Sequence, residues 1–108
     1  MKINVLGSDY EMDVKHVEED SMLENVDGYC NNYAKQIVIR DKSQMIPGDS
    51  NQDAKRLRME HVKRHELVHA FLFESGLDDY SADETLVDWI AIQVPKMLVA
   101  FREAEQLT

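Results

Sequence analysis

Apolar and polar residues alternate through the first forty positions of the chain, and beyond about position 52 the apolar ones recur every three or four. Alternation places successive side chains on opposite faces of a strand, whereas the longer spacing lines one face of a helix. Lys2–Leu6 and Glu11–Val17 therefore predict two strands, separated by the turn-forming run Gly7-Ser8-Asp9. Gly28–Asn31 predicts a third, with Asn31-Asn32 starting a turn, and the β-branched run Gln36–Arg40 a fourth. Residues 41–52 contain Pro47-Gly48-Asp49-Ser50-Asn51, a loop signal.

From Gln52 onward Ala54, Leu57, His61, His65, Val68 and Leu72 fall on one helical stripe, and Gly76 stands where a left-handed stop is expected. Ser81 opens a second helix, carried by Leu86, Ile90, Val94, Met97 and Phe101. Pro95 removes a backbone donor there and predicts a kink or break. Trp89 and the methionines, Met97 among them, are expected in the core. The layout is an α+β fold: a small, mostly antiparallel N-terminal sheet, an active-site helix and a C-terminal helix, in one domain over residues 1–108.

The first helix carries the chemistry. Residues four apart share a face, about 6 Å apart along the axis. His65 and His69 of His65-Glu66-Leu67-Val68-His69 can thus aim ring nitrogens at one cation, at the roughly 2.0–2.1 Å that zinc requires. Glu66 lies about 100° round the helix, wrongly placed for a ligand but within reach of a water on the ion. Zinc acidifies that water, and a carboxylate beside it takes the proton, so Glu66 is the candidate general base. A chain with four histidines also produces this pattern by chance. Yet two histidines on an apolar stripe without a metal would need other hydrogen-bond partners to offset their burial.

A catalytic zinc takes a third protein ligand and leaves its fourth position open. Asp78, Asp79, Asp83, Glu84 and Asp88 lie downstream. Glu84 and Asp88 are four apart and share a face. With Glu84 as ligand, Asp88 is placed to accept a ring N–H from a histidine and hold its tautomer. Ser81-Ala82-Asp83-Glu84 also fits a capping box, in which Glu84 bonds back to the N-cap backbone and Asp88 becomes the third ligand. His61, one turn before His65, reads as a half-buried stripe residue, because three ligands on one straight helix do not readily surround a tetrahedral ion. Tyr80 reads as a packing residue, with an oxyanion donor as the alternative, and Cys30 as a small core residue.

The set His65, Glu66, His69, Glu84 and Asp88 resembles the gluzincin clan of zinc metallopeptidases. There two histidines come from an active-site helix and a glutamate from the next, with an aspartate four residues after it; here that segment reads Asp83-Glu84-Thr85-Leu86-Val87-Asp88. The chain is similar in brevity to the minigluzincins and to small phage- and prophage-type peptidases, including the immunity-repressor group. The likeness covers about residues 36–95. Asp83 stands where the clan has asparagine, and the fourteen residues between His69 and Glu84 are fewer than in large gluzincins. The resemblance implies a zinc (Zn2+) peptidase with His65, His69 and Glu84 on the metal, Glu66 as general base, and Asp88 orienting a ligand histidine.

Charge and cysteine content narrow the partners. The net charge is −9, from 21 acidic and 12 basic residues, which disfavours a nucleic-acid backbone as partner. A single cysteine permits no intrachain disulfide and fits a reducing compartment. The opening run Met1–Gly7 is too short for a signal peptide, and no apolar stretch is long enough for a membrane span, so a cytoplasmic location is expected. The expected function is cleavage of a peptide or protein substrate by a zinc-activated water. A zinc-stabilised prophage regulatory or binding module without catalysis is the alternative, although a structural site has no need of Glu66.

Overall fold

The computed structural model describes residues 1–45 and 51–105. The Pro47–Ser50 part of the expected loop lies outside them. Four strands, β1 (Lys2–Val5), β2 (Ser8–Lys15), β3 (Gly28–Asn31) and β4 (Gln36–Arg40), are followed by the helices α1 (Gln52–Glu74), α2 (Asp78–Ser81) and α3 (Glu84–Glu103). The fold is α+β. Among the described residues no helix is long and apolar enough to cross a membrane.

The sheet order is β1-β2-β4-β3. Two of its three pairings are antiparallel, β1 with β2 and β3 with β4, but the central pair β2·β4 is parallel, so the sheet is mixed. Parallel neighbours need a long connection. Here it runs through two 3-10 turns, Val17–Glu19 and Ser21–Glu24, and then through β3, which folds back on the outer edge of β4.

Several boundaries differ from expectation. The first turn is the two-residue Leu6-Gly7, with both φ positive (51° and 95°), the geometry that matches strand twist in a tight hairpin. Ser8 and Asp9 consequently belong to β2, which ends at Lys15 rather than Val17. Ser81 does not open the second long helix. It ends the short α2, and Asp83 caps α3 by accepting the Leu86 N–H at 3.1 Å. Pro95 neither breaks nor ends α3, which continues to Glu103. Gly76 does stop α1: its φ is 76°, and the Leu77 and Gly76 N–H groups bond back to Leu72 and Phe73.

Helix α1 is covered on two sides, so its apolar positions are not confined to one stripe. Against the sheet, Met59, Val62 and Leu67 pack onto a core of Val5, Tyr10, Met12, Ile37, Ile39 and Ala70. On the other side Val68 and Leu72 meet Val87, Ile90 and Ala91 of α3. Burying Ile37, Ile39 or Val87 fully stabilises the fold by about 1.5–3 kcal/mol each. Trp89 and Met97, expected inside, are exposed (56% and 42%): α3 packs on α1 through Val87, Ile90 and Ala91, with Trp89 outside that face and Met97 beyond it, and Leu57 on α1 is exposed as well.

Candidate metal centre

Helix α1 presents His61, His65, Glu66 and His69 toward α3 and β3, and α3 returns antiparallel to it after the turn of α2. Two contacts hold the helices in register: the Arg64 Nε–H donates to the Ala91 carbonyl at 2.9 Å, and His61 meets Asp88. Because Asp83 supplies the cap, Glu84 makes no capping box and its carboxylate is directed across to α1.

There it meets both histidines. Glu84 Oε2 lies 2.8 Å from His65 Nε2, and Glu84 Oε1 lies 3.0 Å from His69 Nε2. The rings stand edge to face, with centroids 5.0 Å apart. One donor atom from each of His65, His69 and Glu84 lies within 4.8 Å of the others. Bonds of 2.0–2.1 Å at a tetrahedral angle separate two ligand atoms by about 3.3 Å, so the two contacts of Glu84 would need to open by only about half an ångström to admit an ion. Asp78 and Asp79 join no such group among the described residues.

The far side of each ring is also engaged. His65 Nδ1 lies 3.1 Å from Asp88 Oδ1, and His69 Nδ1 lies 3.2 Å from Ser81 Oγ, whose hydroxyl hydrogen goes to the His69 carbonyl at 3.3 Å. With the proton of each ring on Nδ1, the Nε2 lone pair would face inward, as a metal ligand requires. Asp88 stands on the Nδ1 edge of His65, away from the edge that Glu84 meets. Burial pulls the His65 imidazolium pKa down, but the Asp88 hydrogen bond and the Glu66 and Glu84 charges outweigh it, and the net direction is upward. Asp88 is held below the usual carboxylate range by its hydrogen bonds to His61 and His65, against a smaller opposing effect of burial.

Glu66 is buried, 7% exposed, and lines the same cleft as His65, His69 and Glu84. Burial pushes its carboxyl up to about 7, opposed by His65 and reinforced by the Glu84 charge. Such a group exchanges a proton near neutrality. The cleft holds about 540 Å³ and is walled opposite α1 by Gly28, Tyr29 and Cys30 of β3. Burial raises the Cys30 thiol to about 12, with the Glu66 and Glu74 charges adding to the effect, so it stays protonated.

Tyr80 is 55% exposed and is not among the residues that line the cleft. Ser81, a helix start by its sequence pattern, is also a site residue, because its hydroxyl meets the His69 ring and carbonyl. His61, half-buried as its place on the stripe predicts, also meets Asp88, 2.7 Å from Nε2 to Oδ1, a contact beyond the sequence expectation. Its spacing of four from His65 was the available signal. Two imidazoles and a carboxylate suit zinc and other first-row divalent ions. Comparison with protein-family models, curated proteins and solved structures returns no match in any of the three.

Proposed function

We propose that the chain is a zinc-dependent metallopeptidase of gluzincin type, acting as an endopeptidase in a reducing, cytoplasmic compartment. The supporting observation is the meeting of Glu84 with the Nε2 edges of both His65 and His69, beside a buried Glu66 that opens into the same cleft. His65, His69 and Glu84 would hold the ion. Bound there, zinc supplies Lewis acidity toward the scissile carbonyl and the attacking water.

The chain's own groups do the rest. Glu66 takes a proton from the water as its oxygen bonds to the carbonyl carbon. It returns that proton to the amide nitrogen as the C–N bond breaks. Asp88 and Ser81 keep His65 and His69 in the tautomer that turns Nε2 inward. The Arg40 N–H donates to the Asp27 carbonyl, which makes that pair a hydrogen-bonded one in the β3·β4 ladder. By the alternation of such ladders, the backbone groups of Gly28 and Cys30 then point to the open edge. An extended peptide fits that edge as an added strand, with its carbonyls passing over α1.

Wild type and Glu66→Gln, each assayed for zinc content and for cleavage of unstructured peptides, test this reading. The variant is expected to keep zinc and lose cleavage by about 100- to 10,000-fold. Equal cleavage by both removes Glu66 from the mechanism. A wild type that holds zinc and cleaves nothing supports the non-catalytic module, and one that takes up no zinc overturns the proposal.

A further inference from the structure

Asp88 Oδ1 is shared by two histidines, 2.7 Å from His61 Nε2 and 3.1 Å from His65 Nδ1. One donor atom from each of His61, His65 and Asp88 lies within 4.8 Å of the others, the same closeness as in the set His65, His69 and Glu84. The two sets are related by a simple shift. Four residues back along α1 turns His65 and His69 into His61 and His65, and four residues forward along α3 turns Glu84 into Asp88. In antiparallel helices both shifts point the same way, by one turn, about 6 Å. From this repeat we infer a second divalent-cation site on His61, His65 and Asp88, weaker than the first and in competition with it for His65.

The surroundings allow an ion. The second set lines a recess of about 310 Å³ beside the main cleft. Arg58 is the cation in its wall, and its charge is compensated by Asp27, which accepts from Nε at 2.8 Å and Nη2 at 2.7 Å. His61 and Asp88 are each partly exposed, so solvent ions reach them.

Competition follows from the ring of His65. A neutral imidazole has one lone pair and one N–H. With Nε2 on the first ion, Nδ1 keeps its hydrogen and donates to Asp88. A second ion is then held by His61, Asp88 and water alone. For the second site to gain His65, the proton must move to Nε2, and the first site loses a ligand. Excess zinc therefore draws Asp88 away from its hydrogen bond with His65, while His65 stays with the tighter first site. The competition rests on the first set binding zinc, as proposed above, but not on cleavage.

Calorimetric titration of the metal-stripped chain with zinc chloride tests this. Wild type is expected to show a tight phase of one ion and a separate weaker phase. His61→Ala should lose the weak phase and keep the tight one. His69→Ala, with the first set broken and His65 released, should bind one ion at least tenfold more tightly than the wild-type weak phase. A wild type with the tight phase alone, a weak phase unchanged by His61→Ala, or no tightening in His69→Ala overturns the second site and leaves the proposed function standing. Absence of both phases overturns both. Should His61→Ala lose its far-ultraviolet helical signal, His61→Gln takes its place, with the same outcomes.

Discussion

Ser81 and His69 are bound to each other twice: the serine oxygen lies 3.2 Å from the ring Nδ1 and 3.3 Å from the backbone carbonyl of the same histidine. The hydroxyl has one hydrogen, which goes to the carbonyl, and its lone pair receives the ring N–H. The tautomer of His69 is thereby set by a residue twelve positions away. Ser81→Ala is expected to weaken zinc binding by about 10- to 100-fold, measured by competition with a chromophoric chelator. Ser81→Thr, which keeps the hydroxyl, should stay much closer to wild type. Unchanged affinity in the alanine variant would show that the bond does not orient the ring.

Under the proposed zinc binding, Glu84 and Asp88 are separable by the heat stability that the ion would confer. At a free concentration one hundred times its dissociation constant, an ion binding only the folded chain adds about 2.7 kcal/mol. Melting curves should show that gain in wild type and almost none in Glu84→Ala. Asp88→Ala, which removes an orienting group and no ligand, should keep part of it, with affinity down by about 10- to 100-fold. The reverse order would make Asp88 the third ligand.

Gly28 of β3 packs tightly against Val62 of α1. A Cβ built on it would stand 2.9 Å from Val62 Cγ1 and 3.1 Å from the Val38 carbonyl oxygen. Gly28→Ala is therefore expected to destabilise the chain by about 1–3 kcal/mol through overpacking. Adding Val62→Ala should recover part of the loss, so denaturation of the double variant should fall short of the summed single effects by more than about 0.5 kcal/mol. Strict additivity would mean that the contact with Val62 is not what excludes a side chain.

Glu74, at the end of α1, ties the helix to the sheet. Its carboxylate accepts from Lys35, from Ser8 Oγ at 2.6 Å and from the Tyr10 hydroxyl at 2.7 Å. These bonds, with Lys35 first, hold its pKa near 2 against an ordinary 4.5. A depressed folded-state pKa gives stability that is fully present above the unfolded value and is lost as pH falls through the folded one. The difference in melting temperature between wild type and Glu74→Gln should accordingly be largest at neutral pH. It should shrink between about pH 5 and pH 2. A difference independent of pH would exclude the charged network as its source.

What was legible in the sequence is what local spacing encodes. Gln36–Arg40 and Gly28–Asn31 are strands with the bounds their pattern gives, and α1 begins at Gln52 after its Asn51 cap. His65, Glu66, His69 and Glu84 came together through helical spacing and the clan likeness. The parallel β2·β4 pairing was not legible, because strand order is settled by how residues 16–35 cross over, and no local pattern records that. Trp89 was misplaced for a related reason: an apolar residue on α3 is covered only where another element reaches it, and α1 does not reach that far round. Ser81 was hidden by its chemistry, since a serine before an acidic run looks the same whether it caps a helix or holds a ring.

The fourteen residues between His69 and Glu84 contain one short turn of helix, α2, and that suffices to bring α3 back along α1. His65 and Glu84 are consequently only 19 positions apart in the chain. The entropy lost in closing a loop grows with the logarithm of its length, so gathering ligands across some twenty residues rather than a hundred saves about 1.4 kcal/mol. In a protein of 108 residues that difference is considerable. A hairpin of two helices is enough to bring the three candidate ligands together, and the sheet is left with the separate task of forming the far wall of the cleft that Glu66 lines.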